Sequence, residues 1–142
     1  MKTVRVRDLM SRKVKSLSPD SDLTTLYDLM DSHHIRHVPI LDDEENLVGL
    51  VSHRDLLRSA LSNEENVPVS LQRDVFRTVR VEEIMNTTVE TTEPDSPIQE
   101  AAQIMLENKY GCLPVVEGSH LVGILTESDF VRYLAELVSR GE

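Results

Sequence analysis

Apolar positions along this chain fall into two spacings that follow one another in a fixed order, and the whole order occurs twice. Leu23, Leu26, Tyr27 and Met30 stand at i, i+3, i+4 and i+7, which lines one side of a helix. Ile98, Ala101, Ala102 and Met105 repeat that spacing. Two short runs rich in β-branched residues follow each helix, His37 to Leu41 then Leu47 to Val51, and Cys112 to Val116 then Leu121 to Leu125. Their length and composition predict buried strands, joined by polar turns at Asp42-Asp43-Glu44-Glu45-Asn46 and Glu117-Gly118-Ser119-His120. A closing helix is predicted from Ser52, with Leu56, Leu57, Ala60 and Leu61 as its apolar positions, and another from Thr126, with Phe130, Val131, Leu134, Leu137 and Val138. Both first helices should begin just after a Pro-Asp-Ser turn. In the second copy Ser96 is expected to cap, Pro97 to open the helix and Gln99 to complete a capping box. Helix, strand, strand, helix, behind a short leading strand, is an α+β pattern with no Gly-rich phosphate loop.

The repetition extends to individual residues. Val4-Arg5-Val6-Arg7-Asp8-Leu9-Met10 returns 75 positions later as Val79-Arg80-Val81-Glu82-Glu83-Ile84-Met85, and Pro19-Asp20-Ser21 as Pro94-Asp95-Ser96. Leu47-Val48-Gly49-Leu50-Val51-Ser52 returns as Leu121-Val122-Gly123-Ile124-Leu125-Thr126, and Asp55 as Asp129, now 74 apart because the second turn is shorter. Residues 1–61 are expected to form one repeat and 79–142 the other. The polar segment 62–78 reads as a connector with a short helix around Gln72 to Phe76. Two such repeats related by a pseudo-twofold axis would create a cleft where they meet, and function is expected there.

Charge removes one class of function. The chain has 15 Lys and Arg against 25 Asp and Glu, a formal net charge of −10, whereas binding nucleic acid phosphates calls for a basic surplus. Aromatic residues are 4% and tryptophan is absent, so stacking platforms for single strands are scarce. The single cysteine, Cys112, excludes an intrachain disulfide and points to a cytoplasmic protein. No apolar run approaches the ~18 residues that cross a bilayer, so no membrane partner is expected.

Candidate chemistry gathers where the second strand of each copy meets the closing helix. Ser52-His53-Arg54-Asp55 and Thr126-Glu127-Ser128-Asp129 both read [ST]-x-x-D. A hydroxyl followed three residues on by an acid is first of all a helix capping box. A carboxylate at that place can also accept hydrogen bonds from a ribose diol while its neighbour caps, and recurrence in both copies favours this added role. His33, His34 and His37 suggest a metal, but adjacent histidines on a helix point about 100° apart and no fourth ligand is nearby, so no metal is expected. Cys112 reads as a core thiol rather than a nucleophile. Met10 and Met85 read as core or interface fillers.

The duplicated order, with its Val38-Pro39-Ile40-Leu41 and Leu113-Pro114-Val115-Val116 strands, its Leu-Val-Gly strands and its [ST]-x-x-D junctions, resembles a tandem pair of CBS domains, the Bateman module. That resemblance covers residues 4–61 and 79–138. It implies a stand-alone regulatory module without catalytic activity that binds an adenosine-containing nucleotide of the AMP, ADP or ATP class, with or without Mg²⁺, in the cleft between the repeats. One site would combine Ser52, Arg54 and Asp55 with Val89, Thr91, Tyr110, Gly111, Cys112 and Pro114. The other would combine Thr126, Ser128 and Asp129 with Val14, Ser16, Ile35, Arg36, His37 and Pro39. Arg36 and His37 would give the Asp129 site the stronger hold on phosphate, where the other copy has Gly111 and Cys112. The resemblance also implies a homodimer packed through helices and an effector protein that the sequence does not identify. The alternatives are a dimeric scaffold with vestigial nucleotide sites and, last, a small enzyme using Cys112 or the histidines.

Overall fold

The computed structural model describes residues 3–61 and 75–141. In chain order these form α1 (Val6–Leu9), α2 (Leu23–His33), β1 (His37–Leu41), β2 (Leu47–Ser52) and α3 (His53–Leu61). A single 3-10 turn at Val81–Glu83 precedes α4 (Ile98–Asn108), β3 (Cys112–Glu117), β4 (His120–Thr126) and α5 (Glu127–Ser139). The expected helix around Gln72 to Phe76 lies mostly outside the described residues.

The chain folds as two compact units, Met1–Val14 with Glu90–Glu142, and Lys15–Val89. For brevity these are the Asp129 unit and the Asp55 unit. Neither coincides with a repeat of the sequence, because the leading segment of each repeat is built into the body of the other. In the Asp129 unit the N–H of Val6 donates to Ser96 O at 2.9 Å, that of Arg7 to Pro94 O at 2.9 Å and that of Ile98 to Val4 O at 3.1 Å. In the Asp55 unit the equivalent bonds run from Val81 to Ser21 at 2.7 Å, from Glu82 to Pro19 at 3.1 Å and from Leu23 to Val79 at 3.1 Å. Arg7 adds an ion pair to the Asp95 carboxylate, and the Arg5 guanidinium donates to the Asp95 carbonyl.

These bonds explain how the first helix of each body starts. The structure corrects the expected cap on α4: Pro97 is its N-cap rather than its first helical residue, and no side chain caps it. The orphan N–H of Ile98 is met by the Val4 carbonyl, so the exchanged segment does the work assigned to Ser96 and Gln99. In α2 the N-cap is Asp22, whose carboxylate accepts from the Thr25 N–H at 2.8 Å. Both helices end on a left-handed residue, His34 at φ 53° and Lys109 at φ 57°, whose N–H groups return to Met30 O and Met105 O.

Each body carries one antiparallel hairpin, β1 with β2 and β3 with β4, with a register shift at Ile40/Leu41 and at Val115/Val116. The first turn is organised by Asp42, which accepts from the N–H groups of Glu44 and Asn46, both at 2.9 Å. The second is shorter and passes through Gly118 at φ 63°, which accounts for the change in repeat offset. The expected leading strands are reduced to single parallel bridges, Leu17 beside Ile40 and Thr92 beside Val115. Leu17 bonds to Pro39 and Leu41 at 3.2 and 2.9 Å, and Thr92 to Pro114 and Val116 at 3.0 and 2.9 Å.

The cores follow the apolar pattern. Leu23, Leu26, Met30, Val38, Ile40, Val51, Leu56 and Val81 are buried together in the Asp55 unit. Val6, Leu9, Met10, Ala101, Met105, Leu113, Val115 and Leu125 are buried together in the Asp129 unit. Val81 and Val6 are thus core residues of a body built mostly from the other repeat. The exchanged segments end in methionines that cover a glycine on the receiving hairpin, Met85 over Gly49 and Met10 over Gly123. A side chain on either glycine would occupy the space of the thioether, which is why glycine stands there.

Candidate functional site

The second strand of each hairpin runs straight into a helix, and the junction sets the repeated acid. In the Asp55 unit the Asp55 Oδ2 accepts from the Ser52 N–H at 2.8 Å and the Ser52 hydroxyl at 2.9 Å, while the Asp55 N–H donates to Ser52 Oγ at 3.1 Å. In the Asp129 unit the Asp129 Oδ2 accepts from the Thr126 N–H at 2.8 Å and the Thr126 hydroxyl at 3.2 Å. The Ser128 hydroxyl lies 2.8 Å from that of Thr126. Both are closed capping boxes, the carboxylate sitting in the first turn where the helix dipole favours negative charge. Capping uses only Oδ2 of each carboxylate and leaves Oδ1 out of the box.

Strand pairing fixes what lies beside each box. His37 is the Cα partner of Ser52, and Arg36 O accepts from the His53 N–H at 2.7 Å. Ile35, Arg36, His37 and Pro39 therefore lie in the same unit as Ser52, Arg54 and Asp55, with Arg36 and Arg54 exposed and Pro39 buried. Cys112 is the Cα partner of Thr126, and Gly111 O accepts from the Glu127 N–H at 3.2 Å. Tyr110, Gly111, Cys112 and Pro114 accordingly share a unit with Thr126, Ser128 and Asp129. Val14 and Thr91 belong to the Asp129 unit, Ser16 and Val89 to the Asp55 unit, and all four are half-buried.

Sequence reasoning missed one partner of each acid. Arg132 Nη1 donates to Asp129 Oδ1 at 3.0 Å, and Arg58 Nη1 stands 3.9 Å from Asp55 Oδ1. The two arginines are themselves a repeat, three residues beyond each aspartate, in Asp55-Leu56-Leu57-Arg58 and Asp129-Phe130-Val131-Arg132. Extending the [ST]-x-x-D comparison by one helical turn would have found them.

The other sequence candidates have structural places. His34 is the left-handed cap of α2, His33 its last residue, and both are exposed. Among the described residues no three His, Cys, Asp or Glu side chains are grouped so as to hold a metal ion. Cys112 is a free thiol, 3% exposed, and burial pushes its pKa up to about 12, so it is a neutral core group at physiological pH. No helix among the described residues is long and apolar enough to cross a membrane.

A duplicated helix, hairpin and helix body, each closing on a boxed acid, defines a class of small paired α+β modules. The chain belongs to the CBS domain family, whose model matches residues 6–62 and 81–136. Among solved structures it is similar to a candidate acetoin utilization protein, AcuB, of Vibrio cholerae, at 36% identity and TM-score 0.82, over 99% of both chains. CBSX2 in complex with AMP is 28% identical with TM-score 0.77, over 94% of this chain and 97% of that one. A CBS domain pair in complex with 5′-methylthioadenosine and S-adenosyl-L-methionine is 25% identical with TM-score 0.78, over 92% and 99%. Two curated relatives from Methanocaldococcus jannaschii, 30% and 26% identical, are longer, and the chain spans 33% and 42% of their length.

Proposed function

We propose that this protein is a regulatory module that binds an adenosine-containing nucleotide of the AMP, ADP or ATP class, does no chemistry on it, and passes its occupancy to a partner protein. The observation that carries this reading is the recurrence, in both units, of a helix-start carboxylate with one oxygen tied to its capping box and the other outside it. That second oxygen suits the hydroxyls of a ribose. The AMP complex of CBSX2 and the 5′-methylthioadenosine and S-adenosyl-L-methionine complex of another CBS pair support adenosine as the shared part of the ligand. Arg36 and His37, one exposed and one half-buried, are the hydrogen-bond donors offered to phosphate, with Mg²⁺ as an optional companion of ATP. Tyr110 and Pro114, like Ile35 and Pro39, supply apolar surface to the base.

Binding would regulate through the ligand's differential affinity for two arrangements of the chain. A homodimer is the proposed assembly, supported by Val131, Leu134 and Val138, which form an exposed apolar line on α5 at i, i+3 and i+7. Calorimetric titration of the full chain with AMP, ADP, ATP, S-adenosylmethionine and NAD tests the reading. Saturable binding to at least one, lost in the Asp55→Asn/Asp129→Asn double variant, is expected. In the single variants Asp129→Asn should weaken ATP more than Asp55→Asn. No binding by the wild type would leave the scaffold reading instead, and ligand turnover would revive the enzyme.

A further inference from the structure

The two carboxylates differ in how much of each is free for a diol, and counting acceptor positions locates the difference. A carboxylate oxygen offers two acceptor positions. Asp129 Oδ2 uses both on Thr126, at 2.8 and 3.2 Å, and Asp55 Oδ2 uses both on Ser52, at 2.8 and 2.9 Å. Only Oδ1 is left in either unit, and its two positions match the two hydroxyls of a ribose. In the Asp129 unit one of these is taken, because Arg132 Nη1 donates to Oδ1 at 3.0 Å. In the Asp55 unit Arg58 stays at 3.9 Å, an ion-pair distance too long for a hydrogen bond, and among the described residues both positions remain. Exposure follows the same division, the Asp129 side chain being 3% exposed and that of Asp55 26%.

We propose that Arg132 is a latch on the Asp129 carboxylate, a positioning residue that must give up Oδ1 before a ribose can engage that oxygen with both hydroxyls. Arg58 leaves the equivalent oxygen of Asp55 open. The inference rests on the ribose reading given above. The Asp129 site, so latched, discriminates poorly between a ribonucleotide and its 2′-deoxy analogue, since one position suffices for the single hydroxyl that remains. Arg132 is 61% exposed and reaches water without rearranging the helix, so the latch is weak, worth about two- to fivefold in affinity.

The test uses the full chain carrying Asp55→Asn, which keeps a carbonyl oxygen for the α3 cap and places an N–H donor where the diol acceptor was. In that background AMP and 2′-deoxy-AMP are titrated before and after Arg132→Gln, with Arg132→Met as a second neutral variant of similar reach. Opening the latch should tighten AMP about two- to fivefold and leave 2′-deoxy-AMP within experimental error, so that the ratio of the two affinities rises. A loss of helix stability would move both ligands together. Equal changes for both ligands, or a fall in AMP affinity alone, would overturn the latch while leaving the nucleotide reading intact. Failure of the unsubstituted chain to bind AMP or any other adenosine ligand would overturn both.

Discussion

Adding one methyl group at Gly123 and one at Gly49 should give similar single-variant losses with opposite responses to rescue. A Cβ on Gly49 would meet only the Met85 side chain among its nearest neighbours, Sδ closest, then Cγ at 2.9 Å and Cβ at 3.3 Å. A Cβ on Gly123 would meet Met10 Sδ at 2.8 Å and Met10 Cγ at 3.2 Å, but also the carbonyl oxygen of Ser11 at 2.9 Å. That carbonyl cannot retreat freely, because Ser11 is held to Ile124 by two backbone hydrogen bonds of 2.9 and 3.0 Å. Overpacking of this kind costs about 1–3 kcal/mol, set against a gain of about 0.4–1 kcal/mol from the lower backbone entropy of unfolded alanine. Each single variant should therefore lose up to about 2.6 kcal/mol, or up to about 10 °C in Tm at roughly 4 °C per kcal/mol for a chain of this size. Truncating Met85 to Ala removes the two nearest of the three closest neighbours of the Gly49→Ala methyl and leaves Cβ at 3.3 Å, so in that background Gly49→Ala should become neutral or stabilising. Truncating Met10 to Ala leaves the Ser11 carbonyl in place, and Gly123→Ala should stay destabilising. Urea unfolding of the seven proteins of two double-mutant cycles, which share the wild type, measures both couplings. Equal and complete rescue in the two cycles would refute the carbonyl clash. Neutral single variants would show that the thioethers do not press on these glycines.

Two further expectations concern the buried thiol and the α5 surface. Burial raises the Cys112 pKa from about 9 to about 12, so the native state holds the thiol proton more tightly and its contribution to stability is complete below pH 9 and lost as pH rises toward 12. Between pH 8 and 11 the urea midpoint of the wild type should fall more steeply than that of Cys112→Ala, and parallel slopes would refute the assignment. Leu134 is 61% exposed within the single chain, so Leu134→Asp should leave helix content by circular dichroism unchanged while light scattering shows the proposed dimer replaced by monomer. Retention of the dimer would place its interface elsewhere.

Most of the body of each unit was legible in the sequence, because side chains carry the signal there. The i, i+3, i+4, i+7 spacing put Leu23, Leu26 and Met30 in the core, and only Tyr27, at 42% exposure, turned outward. The β-branched runs paired as hairpins and the [ST]-x-x-D junctions formed their boxes. The exchange of leading segments was not legible, for a physical reason. It is made by backbone hydrogen bonds between residues up to about 90 positions apart, and its acceptors, Pro19-Asp20-Ser21 and Pro94-Asp95-Ser96, are identical triplets. Val4 to Met10 would fit either. The same exchange explains the misplaced α4 start, since Ile98 finds its partner in Val4 rather than in a local cap. Arg58 and Arg132 were overlooked because an arginine one turn along a helix looks like ordinary solvated charge until its distance to the acid is known.

The exchanged segments also decide what a truncated chain could do. The polypeptide passes between its two units twice, between Val14 and Lys15 and again between Val89 and Glu90. A piece that ends at Leu61 lacks Val81, which is buried in the core of the Asp55 unit, and a piece that begins at Val79 lacks Val6, Leu9 and Met10, which are buried in the core of the Asp129 unit. Neither half of the duplication therefore carries a whole core.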